Sequence, residues 1–195
     1  LYSVHINEII LKANKLLGFI IRSCKEFNDV RPLLILFNSL VRPIVEYCCV
    51  IWCPFYQVFI NRLENIQKKF VRFLCFKFNV LYSRVNYLNI LIYFGLWPLE
   101  LRRLMFDVFF CFKILNSLIT CPPLLELFSL YVPQRNVRST HLLSIPFHRT
   151  LYGRESARSR ISKSTLTLRD IDIVGVPFVS FKRNLKNVLL DKVHM

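Results

Sequence analysis

Apolar positions recur at spacings of three and four from the start of the chain. Ile6, Ile9, Ile10, Ala13, Leu16, Leu17, Ile20, Ile21 and Cys24 form one continuous stripe, the signature of an amphipathic helix. Lys12, Lys15, Arg22 and Lys25 fall off that stripe. Asn28-Asp29 can cap a second helix with Pro32 in its first turn, and its apolar residues run over 33–41. Pro43 has no backbone N–H and is expected to kink or restart that helix. Residues 44–52 fit a helix, while their β-branched and aromatic content leaves a strand open.

After Pro54 the period returns. Leu63, Ile66, Phe70, Phe73 and Leu74 make a buried face. On a helical wheel Arg62, Asn65, Lys69 and Arg72 gather on another face, with Lys68 beside Arg72 at i+4. Such a face either touches phosphate or is merely solvated, and the pattern alone does not choose. Residues 82–93 read as a helix stopped by Gly95, and Pro98 opens a longer one to about Leu118. Arg103 and Asp107, at i+4 on that helix, are expected to form a surface ion pair. Pro122-Pro123 end it and start a short turn over 124–128.

The pattern changes near Tyr131. Arg135, Arg138, Arg149, Arg154, Arg158, Arg160 and Lys163 face one acid, Glu155, in a stretch rich in Ser and Thr without helical period. A last helix is predicted from Pro177 or Phe178 to Leu190, with Phe178, Phe181, Leu185, Val188 and Leu189 inward and able to fold back on the helical core. The expected fold is therefore mainly α, with a helical region over 1–130 and a basic, less regular extension over 131–195 that ends in a helix.

Charge sharpens this division. The chain has 195 residues and a formal charge of +15. Residues 1–130 carry 15 basic and 8 acidic groups, whereas residues 131–195 carry 12 and 4 in half the length. Such a balance favours polyanionic partners, meaning nucleic acid or an anionic membrane surface. Mean hydropathy is +0.40, but the most apolar windows, 30–56 and 104–121, hold Arg31, Arg42, Glu46 and three prolines, or Asp107 and Lys113. Neither suits a membrane-spanning helix, and no signal peptide is evident. The opening Leu1-Tyr2-Ser3, already running into a helix, suggests a fragment, and an intracellular home in nucleus or cytoplasm is expected.

Little here assembles into an active site. Four glycines give no phosphate-binding loop and no nucleophile elbow. The seven cysteines, irregularly spaced among apolar neighbours, read as buried free thiols rather than as disulfides or a zinc site. Asp170 and Asp172 are the close carboxylate pair, with Arg169, Ile171, Ile173 and Val174 around them. Two such groups could chelate an ion, yet the setting fits a short half-buried strand or turn better. His5 and His148 fit capping or hydrogen-bonding roles better than catalysis. No catalytic residue, metal ligand, cofactor or small-molecule substrate is expected for this chain.

The order of several short motifs carries a resemblance. His5-Ile6, Lys12-Ala13, Leu16-Leu17-Gly18-Phe19 and Arg22 come first. Leu40-Val41-Arg42-Pro43-Ile44-Val45-Glu46-Tyr47 follows, with Trp52 and Pro54, and then Leu63-Glu64-x-x-Gln67-Lys68-Lys69-x-x-Arg72. Leu99-Glu100-x-Arg102-Arg103, Asp107 and Phe112-Lys113-Ile114 come next, and Arg149-Thr150, Tyr152, Ser156, Arg160 and Phe181-Lys182 close the series. In this order they resemble the segment after the catalytic palm in LINE-type, non-LTR retrotransposon reverse transcriptases of the jockey-like group. The family's aromatic-Ala-Asp-Asp loop is absent, and Ser-Lys-Ser-Thr stands at 162–165 where the family usually has an Asn.

The resemblance implies a thumb-like helical region with a C-terminal extension, lacking the palm and fingers of the parent RNA-directed DNA polymerase. Magnesium or a similar divalent ion would belong to that parent. The implied partners are an RNA template and a DNA primer strand, or their hybrid, and the missing palm and fingers. Arg62, Lys68, Lys69, Arg72, Arg149, Arg154, Arg158 and Arg160 are the expected backbone contacts, which would position the polymer without reading its sequence. Two other readings stay open: a transposon relic without function, and a helical module docking on a protein or a membrane surface.

Overall fold

Three of the helices end in the same way, and the reason is local. After α5 (Gln57–Lys77), α6 (Tyr87–Tyr93) and α7 (Leu99–Leu115), a left-handed residue turns the chain: Asn79 at φ 53°, Gly95 at φ 66° and Ser117 at φ 55°. The following N–H reaches back five residues each time, from Val80 to Cys75 O (2.9 Å), Leu96 to Leu91 O (2.8 Å) and Leu118 to Lys113 O (2.9 Å). These bonds satisfy carbonyls that the helix ends would otherwise leave open. The glycine at 95 was legible as a stop, and the same geometry is held at 79 and 117 by residues with a Cβ.

The computed structural model describes residues 2–82, 87–132, 142–168, 173 and 175–194. Among them the fold is mainly α, and extended pairing is limited to an isolated antiparallel bridge between Leu130 and Leu143. The chain divides into two compact units, Leu1–Arg103 and Leu104–Met195. This boundary lies upstream of the compositional change near Tyr131, because packing groups part of the Phe-rich helix with the tail. No described helix is long and apolar enough to cross a membrane.

In the first unit α1 (Tyr2–Ser23) buries Ile6, Ile9, Ile10, Ala13, Leu17 and Ile20, the stripe read from the sequence. Asp29 caps α2 (Val30–Leu36) by accepting from the Arg31 N–H. Pro43 restarts the helix, standing in the first turn of α3 (Arg42–Glu46). Ahead of it residues Phe37–Val41 widen into a π-helical turn, and the Arg42 N–H bonds to Phe37 O, five residues back. Widening the turn accommodates the proline ring that would clash in a regular α-helix. The open choice over 44–52 resolves as helix: α3 ends at Glu46, Cys48 turns at φ 53°, and α4 covers Cys49–Trp52. Phe37 then stacks on Phe70 of α5 with centroids 4.2 Å apart, at the centre of a core that includes Leu17, Leu33, Leu63 and Leu74. Phe73, expected inward, is half-buried.

The second unit is built on residues 104–115 of α7. Phe109 and Phe112 meet Phe178 and Phe181 of α11 (Phe178–His194), with Phe112 and Phe181 stacked at 4.3 Å. The closing helix thus folds back as its apolar face implied. A short α8 (Pro122–Glu126) opens on the proline pair. The stretch expected to lack helical order contains α9 (Leu151–Arg154), α10 (Ala157–Ser164) and a 3-10 turn (Thr165–Leu168). Its serines and threonines are the cause. Thr150 accepts from the Gly153 N–H and Ser156 from the Ser159 N–H, capping helices too short to show a period.

Candidate nucleic-acid interface

The basic face of α5 is placed by a parallel helix pair. Arg62 Nη1 donates to Asn7 Oδ1 (2.7 Å) and Lys69 Nζ to Asn14 Oδ1 (2.9 Å), seven residues apart on each helix. Lys77 Nζ continues the series by donating to Cys24 O and Lys25 O beyond the end of α1. Residue number rises together on both helices, so α1 and α5 run parallel and in register. The buried stripe of α1 and the buried residues Leu63, Ile66, Phe70 and Leu74 of α5 hold this register apolarly. The polar pairs line its edge.

Arg62, Asn65, Lys69 and Arg72 are exposed or only partly covered and Lys68 is half-buried, as the helical wheel requires. Lys68 Nζ lies 5.2 Å from the Tyr87 ring centroid and the Arg72 guanidinium 5.6 Å from that of Tyr82. All these partners are neutral. They orient the cations without adding a countercharge, although Lys68 also lies within the field of the Glu64 carboxylate. Arg22 was not among the expected contacts, yet it is exposed on α1 eight residues after Asn14 and lies over Gly18, whose added Cβ would sit 3.4 Å from Nη1. The i, i+4, i+8 spacing of Asn14, Gly18 and Arg22 was the available sign.

Two carboxylates of the ordered motifs fasten this unit together. Glu64, buried on α5, accepts from the Tyr87 hydroxyl (2.6 Å) and from the Leu99 N–H (2.9 Å) at the first residue of α7. Gln67, one helical turn on, donates to Trp97 O (2.9 Å) and Glu64 Oε1 (3.3 Å). A carboxylate at a helix N-terminus meets open N–H groups and the positive end of the dipole. Burial nonetheless raises the Glu64 pKa above its ordinary 4.5, against the lowering pull of Tyr87, Leu99 N–H, Arg103 and Lys68. Glu46 of α3 grips Arg102 in a two-pronged ion pair, with Arg102 Nη2 at 2.8 Å from Oε2. Burial and the neighbouring Arg102 charge lower the Arg42 pKa, and Glu46 opposes them.

The expected Arg103–Asp107 surface pair is overturned. Both residues are buried, at 3% and 2% exposure. Asp107 instead holds Arg160 of α10, with Nε at 2.7 Å from Oδ2 and Nη2 at 3.2 Å from Oδ1. Helical spacing permits an i+4 pair, but a carboxylate facing the core takes the partner that the fold delivers there. Arg160 is thereby half-buried with its charge matched. Arg149 and Arg154 are exposed or only partly covered, and Arg158 is half-buried.

The remaining residues of chemical interest are spread out. His5 is exposed and lies edge-on to Trp52, 5.5 Å between centroids, and Trp52 Nε1 donates to Tyr47 O. His148 packs against Gly153, where an added Cβ would fall 2.8 Å from its ring. Cys24, Cys49, Cys75 and Cys111 are buried, whereas Cys53 and Cys121 are only partly covered and Cys48 is exposed, contrary to the expectation for these three; Cys48 occupies the turn between α3 and α4. Burial pushes the Cys111 thiol up to about 12. Among the described residues no three of His, Cys, Asp and Glu cluster closely enough to hold a metal ion. Asp170, Asp172, Arg135 and Arg138 lie outside the described residues. At 162–165, Ser164 Oγ donates to Ile161 O and Thr165 Oγ1 to Ser162 O, both at 2.7 Å.

Comparison with protein-family models, with curated proteins and with solved structures gives no match for this chain.

Proposed function

We propose that this chain is the post-palm, thumb-like part of a LINE-type reverse transcriptase of the jockey-like group, and that it holds template and primer without performing chemistry. One observation carries the reading. The charged residues of three motifs far apart in sequence meet one another: Glu46 with Arg102, and Glu64 with the Leu99 N–H and the charge of Arg103. Motifs that clasp each other in one unit support a common origin for the whole ordered set. The basic face of Arg62, Lys69 and Arg72, with Lys68 beside it, supports the phosphate-binding surface that such a role needs.

The test is retardation of a short RNA–DNA hybrid by the purified chain at rising salt. Binding is expected to weaken steeply, as counterions are released from the phosphates. A chain that fails to bind at low salt, or binds without salt dependence, refutes the proposal.

A second reading is favoured by exposed apolar residues on α1, where Val4, Leu11 and Phe19 are 65%, 71% and 56% exposed. Such a face fits a helical module that docks on another protein. Hybrid binding that is absent while the chain self-associates through α1 decides for that reading.

A further inference from the structure

The segment 147–154 in the second unit combines exposed rings with guanidinium groups. Phe147 is 89% exposed and Tyr152 is 67% exposed. Arg149 lies between them in sequence, Arg154 follows, and neither is buried in the core. Two exposed rings and two guanidinium groups thus fall within one short segment, both kinds of side chain available at the surface. The core does not need these two rings.

The backbone beneath them is fixed. Thr150 Oγ1 accepts from the Gly153 N–H (3.2 Å), and Arg154 N–H closes the turn on Thr150 O (3.1 Å). His148 fills the space beside Gly153 so closely that any Cβ there would meet its ring at 2.8 Å. Lys163 of α10 donates to Arg154 O (2.8 Å) and to Glu155 Oε1 (3.2 Å). The Asp107–Arg160 pair ties α10 in turn to α7. Rings and cations therefore project from a turn that is ordered before any partner arrives, which lowers the entropy lost on binding.

We infer that residues 147–154 form a stacking platform for unpaired bases of single-stranded nucleic acid, with Phe147 and Tyr152 against the bases and Arg149 and Arg154 on the phosphates. This rests on the nucleic-acid role proposed for the chain but concerns a different surface and a different form of the polymer. Charge complementarity selects the partner, since the chain carries +15 and every Lys or Arg from 135 to 160 is an arginine. Guanidinium groups grip phosphate in a planar fork and also stack on rings. A membrane surface fits less well, because α9 spans only Leu151–Arg154 and offers no amphipathic helix to lie among headgroups. Aromatic faces interleaved with cations are the arrangement that binds single strands without reading sequence.

The test uses the full chain with Phe147→Leu and Tyr152→Leu together. Leucine keeps apolar area and removes the ring faces, and both sites are exposed, so the fold is retained and circular dichroism verifies it. Anisotropy of a fluorescein-labelled oligothymidylate is expected to show affinity falling on the order of tenfold for each stacking ring removed. The salt dependence and the affinity for the RNA–DNA hybrid stay as in the unaltered chain. Phe147→Trp with Tyr152→Trp restores single-strand binding. Leucine variants that bind the oligonucleotide as well as the unaltered chain overturn the inference. So does an unaltered chain that binds phosphatidylserine vesicles and not the oligonucleotide. Absence of hybrid binding with single-strand binding intact would refute the polymerase reading and leave the platform standing.

Discussion

Ser117 shows how a single residue departs from what its position asks. It turns the chain at φ 55° after α7, the role that Gly95 fills after α6. A side chain in that conformation is strained, and glycine is not. Ser117→Gly is expected to stabilise the protein by up to about 1 kcal/mol, because relief of strain outweighs the added freedom of the unfolded chain. Urea unfolding measures it, and a lower midpoint would contradict it. Glu64 is a second such residue. Its pKa is raised in the folded state above the ordinary 4.5, so the folded protein binds that proton more tightly than the unfolded chain. The associated stabilisation is full below the unfolded pKa and is lost as pH rises through the folded one. Relative to Glu64→Gln, the unaltered chain should lose stability from about pH 4.5, the ordinary value, upward through the folded pKa. Unfolding curves at a series of pH values follow the difference, and a gain instead would show that the carboxylate is stabilised as an anion. Both readings required the structure. The sequence marked Glu64 as part of a motif, but its spacing to Gln67 does not reveal that Leu99 N–H waits across the core.

Periodicity made α1, α5 and α11 legible, because each repeats its apolar face over several turns. It did not reveal α9 and α10, whose four and eight residues are too few for a period and depend on capping by Thr150 and Ser156. The basic face of α5 was likewise visible on a wheel, whereas its neutral partners on α1 were not, since Asn7 and Asn14 are 55 residues away from Arg62 and Lys69. Asp107 exposes the limit of local rules. It sits one turn from Arg103, yet its ion pair is with Arg160, 53 residues on. Removing one partner of a buried pair strands the other charge. Asp107→Asn should therefore cost about 3 kcal/mol in the stability of the second unit, with hydrogen exchange rising first in α10. Unchanged protection of α10 would show that the pair does not hold the helix.

At the scale of the molecule, the charge of +15 separates into cations that stay available and cations the fold consumes. Arg102 and Arg160 are matched by Glu46 and Asp107, while the α5 face, Arg149 and Arg154 stay at the surface. Removing one cation that binds phosphate should make the salt dependence shallower by roughly 0.7–0.9 in slope. Replacing Arg62, Lys69 and Arg72 by alanine is thus expected to reduce the slope for the hybrid by about 2–3, as read from titrations at several salt concentrations. Arg160→Ala should leave that slope unchanged once its folding is verified, because its guanidinium is already taken up. A slope that falls as much for Arg160 as for Lys69 would contradict the division between consumed and available cations.

The mainly helical class, the helix faces and the excess of positive charge follow from composition and local period, and the sequence determined them unaided. Those properties depend on residues a few positions apart, where bonded geometry dictates which side chains share a face. Tertiary structure alone decided which cations are spent and which are presented. It also decided that α1 and α5 run parallel, and that residues group into the units Leu1–Arg103 and Leu104–Met195. Pairing across the core depends on which distant segments pack together, and no spacing along the chain encodes that.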